Sequence, residues 1–175
     1  MQGCHMLNLG VHRDSRGSFS KVLSTSLQQT AGLEFRPREL FWSRSGSGVI
    51  RGMHTQLPPH AGAKLVWVSQ GEVRDVVLDL RIGSATYGSC LVTILDDSSG
   101  GLFIPTGCAH GFEVLSAEAV VNYAQEVDYA PTHDSGIAWN SFSFDWITTN
   151  PTLSERDRCL PRFSDFESPF LYPGS

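Results

Sequence analysis

Lys64-Leu65-Val66-Trp67-Val68, then Ser69-Gln70-Gly71, then Glu72-Val73-Arg74-Asp75-Val76-Val77-Leu78-Asp79-Leu80 is the stretch that decides the fold. Two runs rich in valine and leucine flank a short turn ending in glycine, the pattern of a β-hairpin. Outward from it the same grammar repeats. Cys90 to Leu95 reads as a strand stopped by Asp96-Asp97-Ser98-Ser99-Gly100-Gly101, and Leu102 to Pro105, Gly111 to Leu115 and Ala119 to Gln125 follow. Strands at this spacing, split by Gly, Pro and Ser, predict an all-β sandwich or barrel. Helical signals are few: one helix over Thr25 to Ala31 before Gly32, and a turn within Pro151 to Asp157. The tail from Arg158 to Ser175, rich in Pro, Ser and Phe, is expected to wrap the surface or a neighbouring subunit.

With 175 residues the chain is expected to form one domain, residues 1–175, with a core of its own. A formal charge of -5 and the lack of a basic face argue against a nucleic-acid partner. No apolar run reaches membrane-spanning length and the N-terminus has no leader pattern, so no membrane is expected and the cytoplasm is. Cys4, Cys90, Cys108 and Cys159 are widely spaced without a CxxC pair and read as reduced thiols.

Charged residues interrupt the apolar strands. Strand alternation puts Lys64 on one face with Val66 and Val68, and Asp75 and Asp79 on one face with Val73 and Val77. If that face is the interior, the barrel holds a charged cavity. The run Arg51-Gly52-Met53-His54 adds a cation and an imidazole to a segment that reads as buried strand. Such groups are tolerated there when an anionic ligand or a carboxylate answers them. Each residue alone has a plainer reading. A lone strand histidine is usually structural, a strand lysine usually points to water, and a strand tyrosine such as Tyr123 usually packs with its hydroxyl at the rim. Asp157, in Leu153-Ser154-Glu155-Arg156-Asp157, reads first as part of a solvated loop. Taken together they are the parts for moving a proton next to a ketone: a base, an acid and a donor for an oxyanion. Gly48 and Gly52 flank Arg51 and are expected to let backbone approach a ligand closely.

Ile104-Pro105-Thr106-Gly107-Cys108-Ala109-His110-Gly111-Phe112 contains PxGxxH, which resembles the second motif of the cupins, the double-stranded β-helix family. The first cupin motif normally carries HxH and a following glutamate. Here the corresponding stretch is His54-Thr55-Gln56-Leu57-Pro58-Pro59-His60, with Lys64 near the glutamate's place. The fold signal holds while the metal signal fails, so no metal and no cofactor are expected.

Several blocks in order resemble the dTDP-4-dehydrorhamnose 3,5-epimerase family, metal-free cupins of deoxysugar synthesis. They are Asp14-Ser15-Arg16-Gly17-Ser18-Phe19, Gly48 to His54, Ala63 to Val66, Gly71 to Arg81, Gly83 to Gly88, Ile104 to Phe112 and Leu153 to Asp157. The resemblance implies a jelly-roll barrel of cupin type with a few short helices. It also implies epimerisation at C3, C5 or both of a nucleotide-linked 4-keto-6-deoxyhexose. By it, His54 looks like the base, Asp157 its dyad partner, Lys64 the cation near the keto oxygen and Tyr123 the acid on the opposite ring face. Arg51 and Arg16 match positions that hold the diphosphate, and Phe19, Asp75, His110, Asp134 and Arg156 complete the implied substrate site. The family pairs as homodimers that exchange an N-terminal strand, with Arg16 and Phe19 as the contributed residues. Departures fall on the nucleotide pocket: Lys21 stands where the family usually has glutamate, and Glu39-Leu40-Phe41 where it commonly has Gln-x-Asn. Ser141-Phe142 replaces the usual Asp-Pro, and Arg156 a common lysine. The alternatives are a metal-dependent cupin, a non-catalytic sugar-nucleotide binder and a 3,4-ketoisomerase. Bound metal with chelator sensitivity would mark the first, and binding without solvent hydrogen exchange the second.

Overall fold

The computed structural model describes residues 1–172. The short N-terminal strands are β1 (His5–Leu7), β2 (His12–Asp14) and β3 (Gly17–Phe19), followed by helix α1 (Thr25–Ala31). The barrel strands are β4 (Glu39–Gly46), β5 (Ile50–Gln56), β6 (Lys64–Gln70), β7 (Glu72–Asp79), β8 (Cys90–Asp96), β9 (Gly101–Ile104), β10 (Cys108–Val114), β11 (Glu118–Gln125) and β12 (Asp134–Gly136). Helix α2 (Glu155–Arg158) and a 3-10 turn at Phe163–Asp165 lie in the C-terminal part. One sheet runs β1-β9-β6-β11-β4 and the other β12-β5-β10-β7-β8, all paired antiparallel, with β2-β3 a separate hairpin.

Alternation explains the packing. Val66, Val68, Val73, Val77, Phe112 and Val121 point between the sheets and form the inner core. Their neighbours Leu65 and Ala124 face outward, under a cover that includes Val22, Leu23, Leu27 and Leu33. Val76, Leu78 and Ala109 face out from the second sheet, under Phe142, Phe144, Trp146, Phe163 and Phe166. Both faces of the central strands are thus buried, which is why their sequence is almost continuously apolar.

Helix α1 occupies the expected span, with the Ser24 hydroxyl accepting from Leu27 N and Gly32 left-handed at its end (φ 64°). The second helix forms later than expected, at Glu155–Arg158, because Ser154 caps it by accepting from Asp157 N. The tail wraps its own barrel. Phe170 is buried, Ile82 bridges Leu171, and Ile82 N donates to the Phe170 carbonyl. The last three residues of that expected tail lie outside the described residues.

Asp79 corrects the reading of two aspartates in one charged cavity. It shares a face with Asp75 but sits at the far end of β7, accepting from Arg81, Ser84 and Thr86. Burial opposes its charge, yet the bonds from Arg81, Thr86 and Ser84 hold its carboxyl at about 2. Cys108 is buried in the inner core with Cys4 packed against it, apart from the cavity. The Cys4 thiol beside it and burial both push the Cys108 thiol up. All four cysteines are free. Among the described residues no helix is long and apolar enough to cross a membrane.

Candidate active site

The site begins where two strands come unusually close. Gly52 on β5 has φ 132°, and a Cβ there would lie 2.5 Å from Gly111 Cα on β10. Gly52 therefore serves a backbone–backbone approach and not the approach to a ligand expected from sequence. A register irregularity between His110 and Phe112 accompanies this contact and leaves His54 directly opposite His110. Gly48 (φ 75°) belongs to the turn between β4 and β5, with open space where a Cβ would stand.

Both imidazoles are held from behind by carboxylates. His54 Nε2–H donates to Asp157 Oδ1 at 2.7 Å, and His110 Nε2–H donates to Asp75 Oδ2 at 2.7 Å. Asp157 also accepts from Gly52 N at 3.3 Å. These bonds leave Nδ1 of His54 as the ring's basic atom. Burial pushes the His54 imidazole below its ordinary 6.5; Asp157 pulls it back in part, while Arg156 and Lys64 push it further down. Burial also opposes the Asp157 charge, but the bond from His54 and that from Gly52 keep its carboxyl below the usual range. The ring is thus neutral and basic at neutral pH, with its tautomer fixed.

Lys64 enters from the opposite sheet, at the start of β6. Burial lowers its ammonium from 10.5 to about 8, with Arg156 adding to the drop and Asp75 and Asp134 opposing it. Tyr123 on β11 is buried, and burial pushes its phenol above 10, with the nearby Ser43 hydroxyl and Arg51 pulling the other way. Its ring stacks on Phe41 (centroids 4.6 Å apart, planes 11° from parallel) and meets His110 edge-on at 6.0 Å. Arg51 Nε–H donates to Ser45 Oγ at 2.8 Å. At the rim Arg156 pairs with Asp134, which accepts a 3.3 Å bond from the Tyr129 hydroxyl.

These side chains line one cavity of about 350 Å3. It gathers His54, Lys64, Tyr123, Arg51, His110, Phe41, Asp134 and Arg156 from the sequence-predicted set. Asp75 and Asp157 stand behind the two histidines. Glu39, opposite Gln125 in register, is outside the lining. Arg16, Phe19 and Lys21 are not brought to this chain's cavity. The β2–β3 hairpin carrying the first two is exposed throughout, and Arg16, its side chain 88 % exposed, pairs with Asp14. Strand β1 pairs with β9 of its own chain, and Arg13 of the hairpin lies 3.7 Å from Asp97. Sequence reasoning missed Ser43, Gln56, Gln125 and Tyr129, which also line the cavity. Gln125 was legible, lying two residues after Tyr123 and so on its face. Tyr129 lies in a loop and gave no periodic signal.

A family model described as dTDP-4-dehydrorhamnose 3,5-epimerase matches residues 1–165. The chain is similar to the dTDP-4-dehydrorhamnose 3,5-epimerase of Methanothermobacter thermautotrophicus, 39% identical over 164 residues, covering 90% of this chain and 88% of that one. It also resembles the crystal structure of the Bacillus anthracis enzyme of that name with TDP and PPi bound. The TM-score is 0.87 with 35% identity, covering 91% of this chain and 94% of that one. The Legionella pneumophila dTDP-6-deoxy-D-glucose-3,5-epimerase, in complex with dTDP-4-keto-L-rhamnose, superposes with a TM-score of 0.91 at 31% identity, covering 98% of this chain and 95% of that one. Matched along nearly its whole length in sequence and in fold, this chain belongs to the dTDP-4-dehydrorhamnose 3,5-epimerase family.

Proposed function

We propose that this protein is an isomerase that inverts C3, C5 or both of a nucleotide-linked 4-keto-6-deoxyhexose, of the dTDP-4-dehydro-6-deoxyglucose type. The observation that carries the reading is the convergence of a carboxylate-backed neutral histidine, a half-buried lysine and a buried protonated tyrosine on one cavity. His54 Nδ1 takes the proton from the carbon beside the ketone, and the C–H electron pair moves to the keto oxygen. The Lys64 ammonium stabilises that enolate. Tyr123 O–H protonates the carbon from the other ring face, and the resulting phenolate regains a proton from solvent. No redox change is involved. Asp157 stabilises the imidazolium formed in the first step. Arg51 and Arg156 suit the diphosphate, since guanidinium groups pair with phosphate in two-point geometry.

Incubation with dTDP-, GDP- and CDP-linked 4-keto sugars in heavy water tests the reaction and the base preference together. Deuterium at inverted carbons is the expected outcome, and ligand binding with no exchange would refute it. Tyr123→Phe is expected to keep a measurable part of the exchange while suppressing inverted product by about 10²-fold or more, the scale of a general acid. Full inversion by that variant would assign the acid elsewhere.

We also propose a cytoplasmic homodimer of single-domain chains in which each hairpin, with Arg16, Phe19 and the adjoining Lys21, reaches the other copy's cavity. Support comes from the hairpin's full exposure and from a cavity whose own chain supplies no residue before Phe41. His54→Asn and Arg16→Ala chains, each inactive alone, are expected to recover activity when unfolded and refolded together. The mixed dimer then holds one intact site. Failure to recover would place both residues in the same chain's site.

A further inference from the structure

The inner face of β4 carries Phe41, Ser43 and Ser45, opposite Tyr123, Val121 and Ala119 of β11. Phe41 thus lies against the flat side of Tyr123, near-parallel and in contact distance, while the edge of His110 closes another side. A tyrosine ring in a wide cavity can turn about its side-chain torsions. A parallel neighbour on one face and an edge contact on another leave it one plane. That plane decides where the hydroxyl points, and a proton donor must lie within hydrogen-bond reach of the atom it serves. Phe41 is 40% exposed, so burying it in the core is not its main contribution to the fold.

We propose that Phe41 is a positioning residue for the acid: it fixes the Tyr123 phenol in the plane from which the enolate is protonated on the face opposite His54. The proposal rests on the function assigned to Tyr123 above. It predicts an effect on how the enolate is partitioned. Once formed, the enolate has two fates. Tyr123 can protonate it with inversion, or His54, after exchanging its proton with solvent, can return a deuteron to the original face with retention. Loosening Tyr123 slows the first path and leaves the second intact.

The test compares wild type, Phe41→Leu, Phe41→Asn and Phe41→Tyr in heavy water, following deuterium in retained and inverted sugar separately. For Phe41→Leu and Phe41→Asn the ratio of inverted to retained-but-deuterated sugar is expected to fall roughly tenfold, on the scale of a displaced catalytic group. Total proton abstraction, read at saturating substrate so that any weakened binding is removed, falls by less than inversion does. Phe41→Tyr, which keeps the stack, restores the ratio. Equal loss of exchange and inversion, a change in KM alone, or an unchanged ratio would each overturn the proposal. Two unlike replacements at a partly exposed position guard against one that fails to fold. If Tyr123→Phe itself leaves inversion intact, the assigned function of Tyr123 fails. If Tyr123→Phe suppresses inversion and the Phe41 variants do not, only the present proposal fails.

Discussion

His54→Asn is expected to abolish deuterium uptake from heavy water into the sugar ring, with the fold retained. Asparagine still donates toward Asp157 but has no nitrogen lone pair of useful basicity. The loss falls on the first chemical step, so exchange and inversion disappear together. General-base removal costs about 10²–10⁴-fold. The upper end is expected here, because the one other imidazole of the described cavity, His110, has a side chain only 5% exposed, against 26% for His54, and lies edge-on to the Tyr123 ring. Mass spectrometry of the recovered sugar reads the result, and persisting exchange would remove His54 from the role of base. Asp157→Asn should show a weaker form of the same defect, since the bond that fixes the tautomer changes while the ring remains.

Lys64→Met is the second large effect, and it separates activity from stability. An oxyanion donor is worth about 10²–10³-fold in rate, so kcat is expected to fall by that factor with little change in KM. Stability should move the other way. Lowering an ammonium from 10.5 to about 8 corresponds to about 3 kcal/mol against folding. Because the folded value lies below the unfolded one, this penalty is full below pH 8 and fades as pH rises toward 10.5. Methionine removes it and fills the same volume, so the unfolding midpoint at pH 7 should rise by roughly 5–10 °C. The gain should shrink above pH 8. The pH profile of kcat/KM carries the same signature. Its acid limb reports His54 and should lie below 6.5, and its alkaline limb reports Lys64 near 8. A profile flat through pH 9, or a less stable Lys64→Met chain, would show that Lys64 is not the desolvated cation in question.

The barrel was legible because its central strands are buried on both faces, so Leu65 and Val66, or Val77 and Leu78, announce themselves as apolar neighbours. Strand β4 was not legible for the opposite reason. Its inner Ser43 borders the cavity, its inner Ser45 is buried and accepts from Arg51, and its outer Leu40 and Trp42 are exposed, which inverts the usual polarity. The base, acid and lysine could be named because each is an unexpected polar group on an apolar strand, and resemblance supplied their roles. The stack of Phe41 on Tyr123 could not be read. It depends on the pairing of β4 with β11, two strands far apart in the chain. The role of Gly52 was misread on similar grounds. From sequence its neighbour is an arginine, and only pairing reveals that its true neighbour is Gly111.

That glycine pair also sets where this enzyme can change. A single methyl at Gly52 would strike Gly111 Cα at 2.5 Å, and one at Gly111 would meet the Arg51 carbonyl oxygen at 2.7 Å. The seam beneath the two imidazoles therefore has no room to drift. A library that randomises it should yield mostly dead chains, whereas one directed at the opening, around Gln56 and Tyr129, can retune which sugar is accepted without disturbing the proton chemistry.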